Sequence, residues 1–104
     1  MVTETVPSIN KVPIRLTDER WPHITEEHCE LADMKPDVLK TVAHPLRIVE
    51  GRAGELLAQR EVFPGRHLVV VYREEGDDGF IITAFLTTRP QSLDRRRHVW
   101  PLKE

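Results

Sequence analysis

Hydrophobic positions concentrate in the second half of the chain, at the spacing of strands. The longest apolar run is Phe80-Ile81-Ile82-Thr83-Ala84-Phe85-Leu86-Thr87, preceded by Leu68-Val69-Val70-Val71-Tyr72. Glu75-Gly76-Asp77-Asp78-Gly79 lies between them, so the pair predicts a β-hairpin. Runs this apolar predict central strands covered on both faces. Strict alternation puts Val69, Val71 and Arg73 on one face of the first strand and Leu68, Val70 and Tyr72 on the other. In the second strand it sets Ile81, Thr83 and Phe85 opposite Ile82, Ala84 and Leu86. Upstream, Arg47-Ile48-Val49-Glu50 and 56–63 flank the turn Gly51-Arg52-Ala53-Gly54, and Pro64-Gly65 turns into a strand over 67–73. Together these segments predict a four-stranded antiparallel meander.

The first part of the chain has helical spacing instead. Trp21, Ile24, His28 and Leu31 recur at steps of 3, 4 and 3, one face of a helix. Thr17 suits its N-cap, and Asp18 and Glu19 put negative charge where the helix dipole favours it. Pro22 disfavours helix at Trp21, which predicts an irregular first turn and regular helix over about 22–31. A second helix is predicted over 36–44, with Pro36 at N1, an apolar stripe of Val38, Leu39 and Val42, and Pro45 as its stop. Residues 1–13 contain Pro7 and Pro13 and no apolar period, the pattern of a flexible N-terminal arm or an extended lead-in. The late Val99-Trp100 predicts a tail that returns to the sheet. The expected fold class is α+β: N-terminal helices packed on a four-stranded antiparallel sheet, one domain over 14–104.

Composition narrows the function classes. A hydrophobic fraction of 39% and a charged fraction of 31% fit a globular domain with a charged surface. No apolar run reaches the roughly 18 residues of a membrane helix, and the N-terminus lacks the basic flank and apolar core of a signal peptide. No membrane partner is expected. Cys29 is the single cysteine, which excludes an internal disulfide and fits a cytoplasmic setting. Net charge is −2, but the signs separate: residues 1–34 carry three Lys/Arg against seven Asp/Glu, and 84–104 carry five against two. A basic second half can form a patch for an anionic ligand.

Phosphate-binding loops, dinucleotide glycine fingerprints, nucleophile elbows and paired C-x-x-C are absent from the sequence, and no cofactor is implied. His23, His28 and Cys29 invite a zinc reading, but the two histidines are about 140° apart around a helix and converge poorly. Arg20, His23 and Glu27 share one helical face, next to that of Trp21, Ile24, His28 and Leu31. Packing histidines and a solvated charge pair account for this pattern. So does a site in which histidine moves the proton of a ribose 2′-OH while arginine stabilises phosphate charge. Thr83 is the polar interruption in its strand, either a strand former with a local hydrogen bond or the floor of a cleft.

The segment Leu16-Thr17-Asp18-Glu19-Arg20-Trp21-x-His23-Ile24-x-x-x-His28-x-Glu30-Leu31, the later Leu68-Val69-Val70-Val71, the run 79–87 and the tail with Trp100 resemble a known group. It is the prokaryotic and phage-associated family of small nuclease-like domains placed with barnase, EndoU, the colicin tRNases and RelE. The resemblance covers residues 14–100. It implies helices on a curved antiparallel sheet with an RNA cleft, and metal-independent cleavage leaving a 2′,3′-cyclic phosphate, in a toxin–antitoxin or phage-conflict setting. The matching polar positions are Arg20, His23, His28 and Thr83. Arg60 and Tyr72 lie on strands where such folds place phosphate-binding groups. The implied roles are proton transfer by His28 and His23, phosphate neutralisation by Arg20 and Arg60, and substrate binding by Thr83 and Tyr72. RNA and a cognate antitoxin-like small protein are the implied partners, and a homo-oligomer is left open. The alternative is a catalytically inactive binding module that pairs with a small protein.

Overall fold

The two apolar runs pair as a long hairpin at the centre of a sheet wider than the sequence predicts. The computed structural model describes residues 3–101. In chain order they form strands β1 (Thr3–Pro7) and β2 (Pro13–Thr17), helix α1 (Arg20–Glu27), a 3-10 turn (Cys29–Leu31) and helix α2 (Lys35–Ala43). Strands β3 (Arg47–Glu50), β4 (Leu56–Phe63), β5 (Arg66–Glu75) and β6 (Asp78–Thr87) follow, then a 3-10 turn (Pro90–Leu93) and strand β7 (His98–Trp100). The sheet order is β1-β2-β6-β5-β4-β3-β7. β2 runs parallel to β6 and the other neighbours are antiparallel.

The expected helices on a four-stranded antiparallel sheet are therefore corrected to a seven-stranded mixed sheet with two helices. The difference lies at the two ends of the chain. Residues 3–17, read as an arm and a helix approach, are extended: Thr3 to Pro7 pair with Thr17 to Pro13. Pro7 and Pro13 pair at the loop end of the hairpin; Pro7 is on the edge strand β1 and Pro13 is the first residue of β2, positions where a missing N–H is tolerated. The Ser8–Val12 loop is held by Glu74, whose carboxylate accepts hydrogen bonds from Ser8 Oγ at 3.0 Å and Asn10 Nδ2 at 3.0 Å. At the other end, His98–Trp100 pairs with β3.

The helices cover one face. Ile14, Leu16, Ile24, Leu31, Val38 and Val42 meet Ile48, Ala58, Leu68, Val70, Tyr72 and Ile81 in the main core. Val38 and Val42 are fully buried, each stabilising the fold by roughly 1.5–3 kcal/mol. The opposite face carries a smaller cluster, Val49, Leu57, Val69 and Leu93, with Val71 and Phe85 packed against it. Leu93 comes from the 3-10 turn, which lies over that face.

Two glycines are demanded by position. Gly76 takes φ 64° in the two-residue loop between β5 and β6, as the first position of a type II′ hairpin turn requires. Gly79 sits where β2 joins β6; a Cβ there would lie 2.4 Å from the Arg73 carbonyl oxygen and 2.5 Å from Ile14 Cδ1. No helix among the described residues is long and apolar enough to cross a membrane.

Candidate functional site

The site arises where β2 stops short. β2 pairs with β6 only at Ile14–Gly79 and Arg15–Phe80. The chain then leaves the sheet and α1 packs beside β6. The helix begins with Arg20, whose N–H donates to Thr17 Oγ1 at 3.1 Å. Pro22 falls inside its first turn, where N–H groups have no intrahelical acceptor, so the proline is accommodated. α1 ends at Glu27, earlier than the predicted stop at Leu31, and His28 occupies the C-cap outside helical geometry.

Ile24 is buried in the main core and fixes the rotation of α1. Residues three and four apart share a helical face, so Arg20, His23 and Glu27 come together around it. With Ile82 and Thr83 of β6 they line a cavity of about 260 Å³. Arg20, His23 and Glu27 are exposed, whereas Thr83 Oγ1 is buried and has no hydrogen-bond partner among the described residues. A buried hydroxyl without a partner carries a desolvation penalty of about 1–3 kcal/mol, and only a turn of the Thr83 side chain would expose it to the cavity.

A β-bulge sets the position of Thr83. The register of β5 against β6 shifts between Val71 and Tyr72: Val71 faces Thr83, while Tyr72 faces Ile81. Ile82 is the extra residue. The strict alternation that grouped Ile81 with Thr83 and Phe85 is thereby broken. Ile81 joins Ala84 in the core under the helices, and Phe85 packs on the opposite face beside Val69.

The other predicted residues lie elsewhere. His28 is half-buried, its ring centroid 6.2 Å from that of Phe85 and its Nδ1 3.6 Å from Glu30 Oε1. Arg60 is on β4 beneath α2, where its Nε donates to Thr41 Oγ1 at 3.3 Å and its Nη2 lies 3.4 Å from Asp37 Oδ1. It fastens helix to sheet, and its side chain is not among those lining the cavity. Tyr72 is fully buried, and its hydroxyl has no partner among the described residues. Burial, and secondarily the Glu74 carboxylate, push the phenol well above the usual tyrosine range. Tyr72 is thus a core side chain, and the substrate-binding role implied for it has no surface to act through. Glu27 enters the site in its place. Its spacing from His23 was visible in the sequence, but only the helix's seat on β6 distinguishes a cavity wall from a solvated face.

Comparisons with protein-family models, curated proteins and solved structures return no match.

Proposed function

We propose that the cavity between α1 and β6 is the reacting centre of a small metal-independent endoribonuclease of toxin or phage-conflict type. The observation that carries this reading is a guanidinium, an imidazole and a carboxylate from one helix lining one cavity with Thr83 of the facing strand, whose hydroxyl has no partner among the described residues. The motif resemblance of α1 supports it.

In this mechanism the ribose 2′-oxygen attacks the adjacent phosphorus. A 2′-O–P bond forms and the P–O5′ bond breaks, leaving a 2′,3′-cyclic phosphate and a 5′-hydroxyl. One of His23 and Glu27 accepts the 2′-OH proton and the other delivers a proton to the departing 5′ oxygen. Arg20 holds the non-bridging oxygens and offsets the charge that builds on them. Thr83, its side chain turned toward the cavity, donates to the same phosphate. His28, outside the cavity, flanks the bound strand from beside Phe85. A cytoplasmic setting belongs to the proposal, supported by the lone exposed thiol of Cys29.

The test is incubation of the full chain with total RNA in a chelating buffer, beside folded His23→Ala, Glu27→Gln and His28→Ala variants. Removing a proton-transfer group is expected to slow cleavage by about 100-fold or more for His23 and Glu27, and removing His28 by less than tenfold. RNA left intact by the wild-type chain, or cleaved equally by His23→Ala, overturns the reading.

A further inference from the structure

On the sheet face away from the helices, a second feature lies across the strands from the cavity. Two adjoining hollows, of about 400 and 510 Å³, share Gly51, Arg52, Ser92 and Arg96 and form one groove. Its floor is apolar: Leu57, Val71, Phe85 and Leu93. Its rim is cationic. Four arginines (Arg52, Arg95, Arg96, Arg97) and two glutamates (Glu50, Glu55) line it, a local excess of two positive charges on a chain whose net charge is −2.

The two acids are already engaged. Glu50 pairs with Arg97 at 3.3 Å, and Glu55 Oε1 accepts the Ala53 N–H at 3.0 Å. Among the described residues, the guanidinium groups of Arg52, Arg95 and Arg96 have no hydrogen-bond or ion-pair partner. Three free guanidinium groups around an apolar floor holding an aromatic ring suit a ligand with repeated anionic groups and flat faces. Single-stranded nucleic acid has both, its phosphates binding arginine and its bases stacking on rings.

The groove also leads to the cavity. Val49 faces Leu57, Leu57 faces Val71, and Val71 faces Thr83, one row across four strands. At about 4.8 Å per step this row spans roughly 14 Å, with the arginine rim at one end and the partnerless hydroxyl at the other.

We propose that the groove is a docking subsite for single-stranded RNA, in which Arg52, Arg95 and Arg96 bind phosphates that flank the reacting one and Phe85 stacks a base. This rests on the RNA reading of the neighbouring cavity. An acidic protein segment would match the charge but leave the aromatic floor without a flat partner.

A 2′-O-methyl oligoribonucleotide of about ten nucleotides resists 2′-OH attack and so reports binding alone; its length is within the span that single-strand grooves accommodate. Fluorescence anisotropy with the full chain across a salt series measures affinity and its salt slope. Three phosphate contacts predict a log–log slope of about −2. Arg52→Gln/Arg96→Gln should bring it toward zero by about 1.4, and Phe85→Leu should weaken binding about fivefold with the slope kept. Circular dichroism verifies that each variant is folded. An unchanged slope and affinity in the double arginine variant overturns the proposal, as does equal, equally salt-sensitive binding of polyglutamate, which assigns the groove to an acidic protein. The two readings fail separately. Arginine-dependent binding without cleavage of ordinary RNA removes the reacting centre and leaves the groove, whereas cleavage with arginine-independent binding does the reverse.

Discussion

Replacing Tyr72 by phenylalanine should stabilise the protein, and increasingly so in alkali. The ring fills the main core with no exposed surface, and its hydroxyl has no hydrogen-bond partner among the described residues. Phenylalanine keeps the ring and removes only the stranded oxygen, so no cavity of consequence opens. An unsatisfied buried polar group costs about 1–3 kcal/mol, and relaxation around it places the expected gain near ~1 kcal/mol at neutral pH. The pH dependence follows from the raised phenol pKa, caused first by burial and then by Glu74. Below the ordinary tyrosine pKa of about 10, folded and unfolded chains both hold the proton and the group adds no slope. Above it the unfolded chain releases the proton while the folded chain keeps it, so wild-type stability falls by about 1.4 kcal/mol per pH unit until the buried phenol also titrates.

Urea unfolding of both proteins at pH 8 and pH 11 measures the difference directly, because other alkaline titrations are common to the two and cancel. Tyr72→Phe should lead by about 1 kcal/mol at the lower pH and by roughly 2.4 kcal/mol at the higher. Tyr72 is the only tyrosine, so phenolate absorbance reports its ionisation without interference. Cleavage of RNA should be unchanged. A loss of more than 1 kcal/mol at pH 8 would show that the hydroxyl has a partner after all, and a constant difference up to pH 11 would refute the burial argument.

Thr83→Val removes the partnerless hydroxyl of the cavity at nearly constant shape. Stability by urea unfolding should hold or rise by up to about 1 kcal/mol, while kcat/KM for RNA should fall about tenfold; a parallel loss of both would make Thr83 a packing residue. Arg60→Ala should do the opposite. It breaks the β4–α2 fastening to Thr41 and Asp37 and lowers stability by about 1–2 kcal/mol, with cleavage per folded molecule unaltered; a selective loss of cleavage would return Arg60 to the site.

How much of this was legible in the sequence depends on how local each feature is. The grouping of Arg20, His23 and Glu27 was readable because one helix supplies all three, and 3.6-residue periodicity needs no knowledge of the rest of the chain. The positions of Arg60 and Tyr72 were not, because a strand residue's surroundings are set by which elements cover its face. α2 lies over Arg60, and the main core encloses Tyr72. β1 and β2 were obscured by Pro7 and Pro13, which read as breakers until their opposite positions on an edge hairpin are known. The bulge at Ile82 is the most consequential case. Either side of it the run Phe80–Thr87 obeys strict alternation, yet one inserted residue shifts the phase, so Ile81 enters the helix-covered core while Thr83 meets Val71. Without the shift, Thr83 would share a face with Ile81 in that core. With it, Thr83 comes to the junction between the α1 cavity and the arginine-lined groove. The same displacement that broke the sequence pattern thus places on the wall of the proposed site a threonine whose hydroxyl has no partner among the described residues.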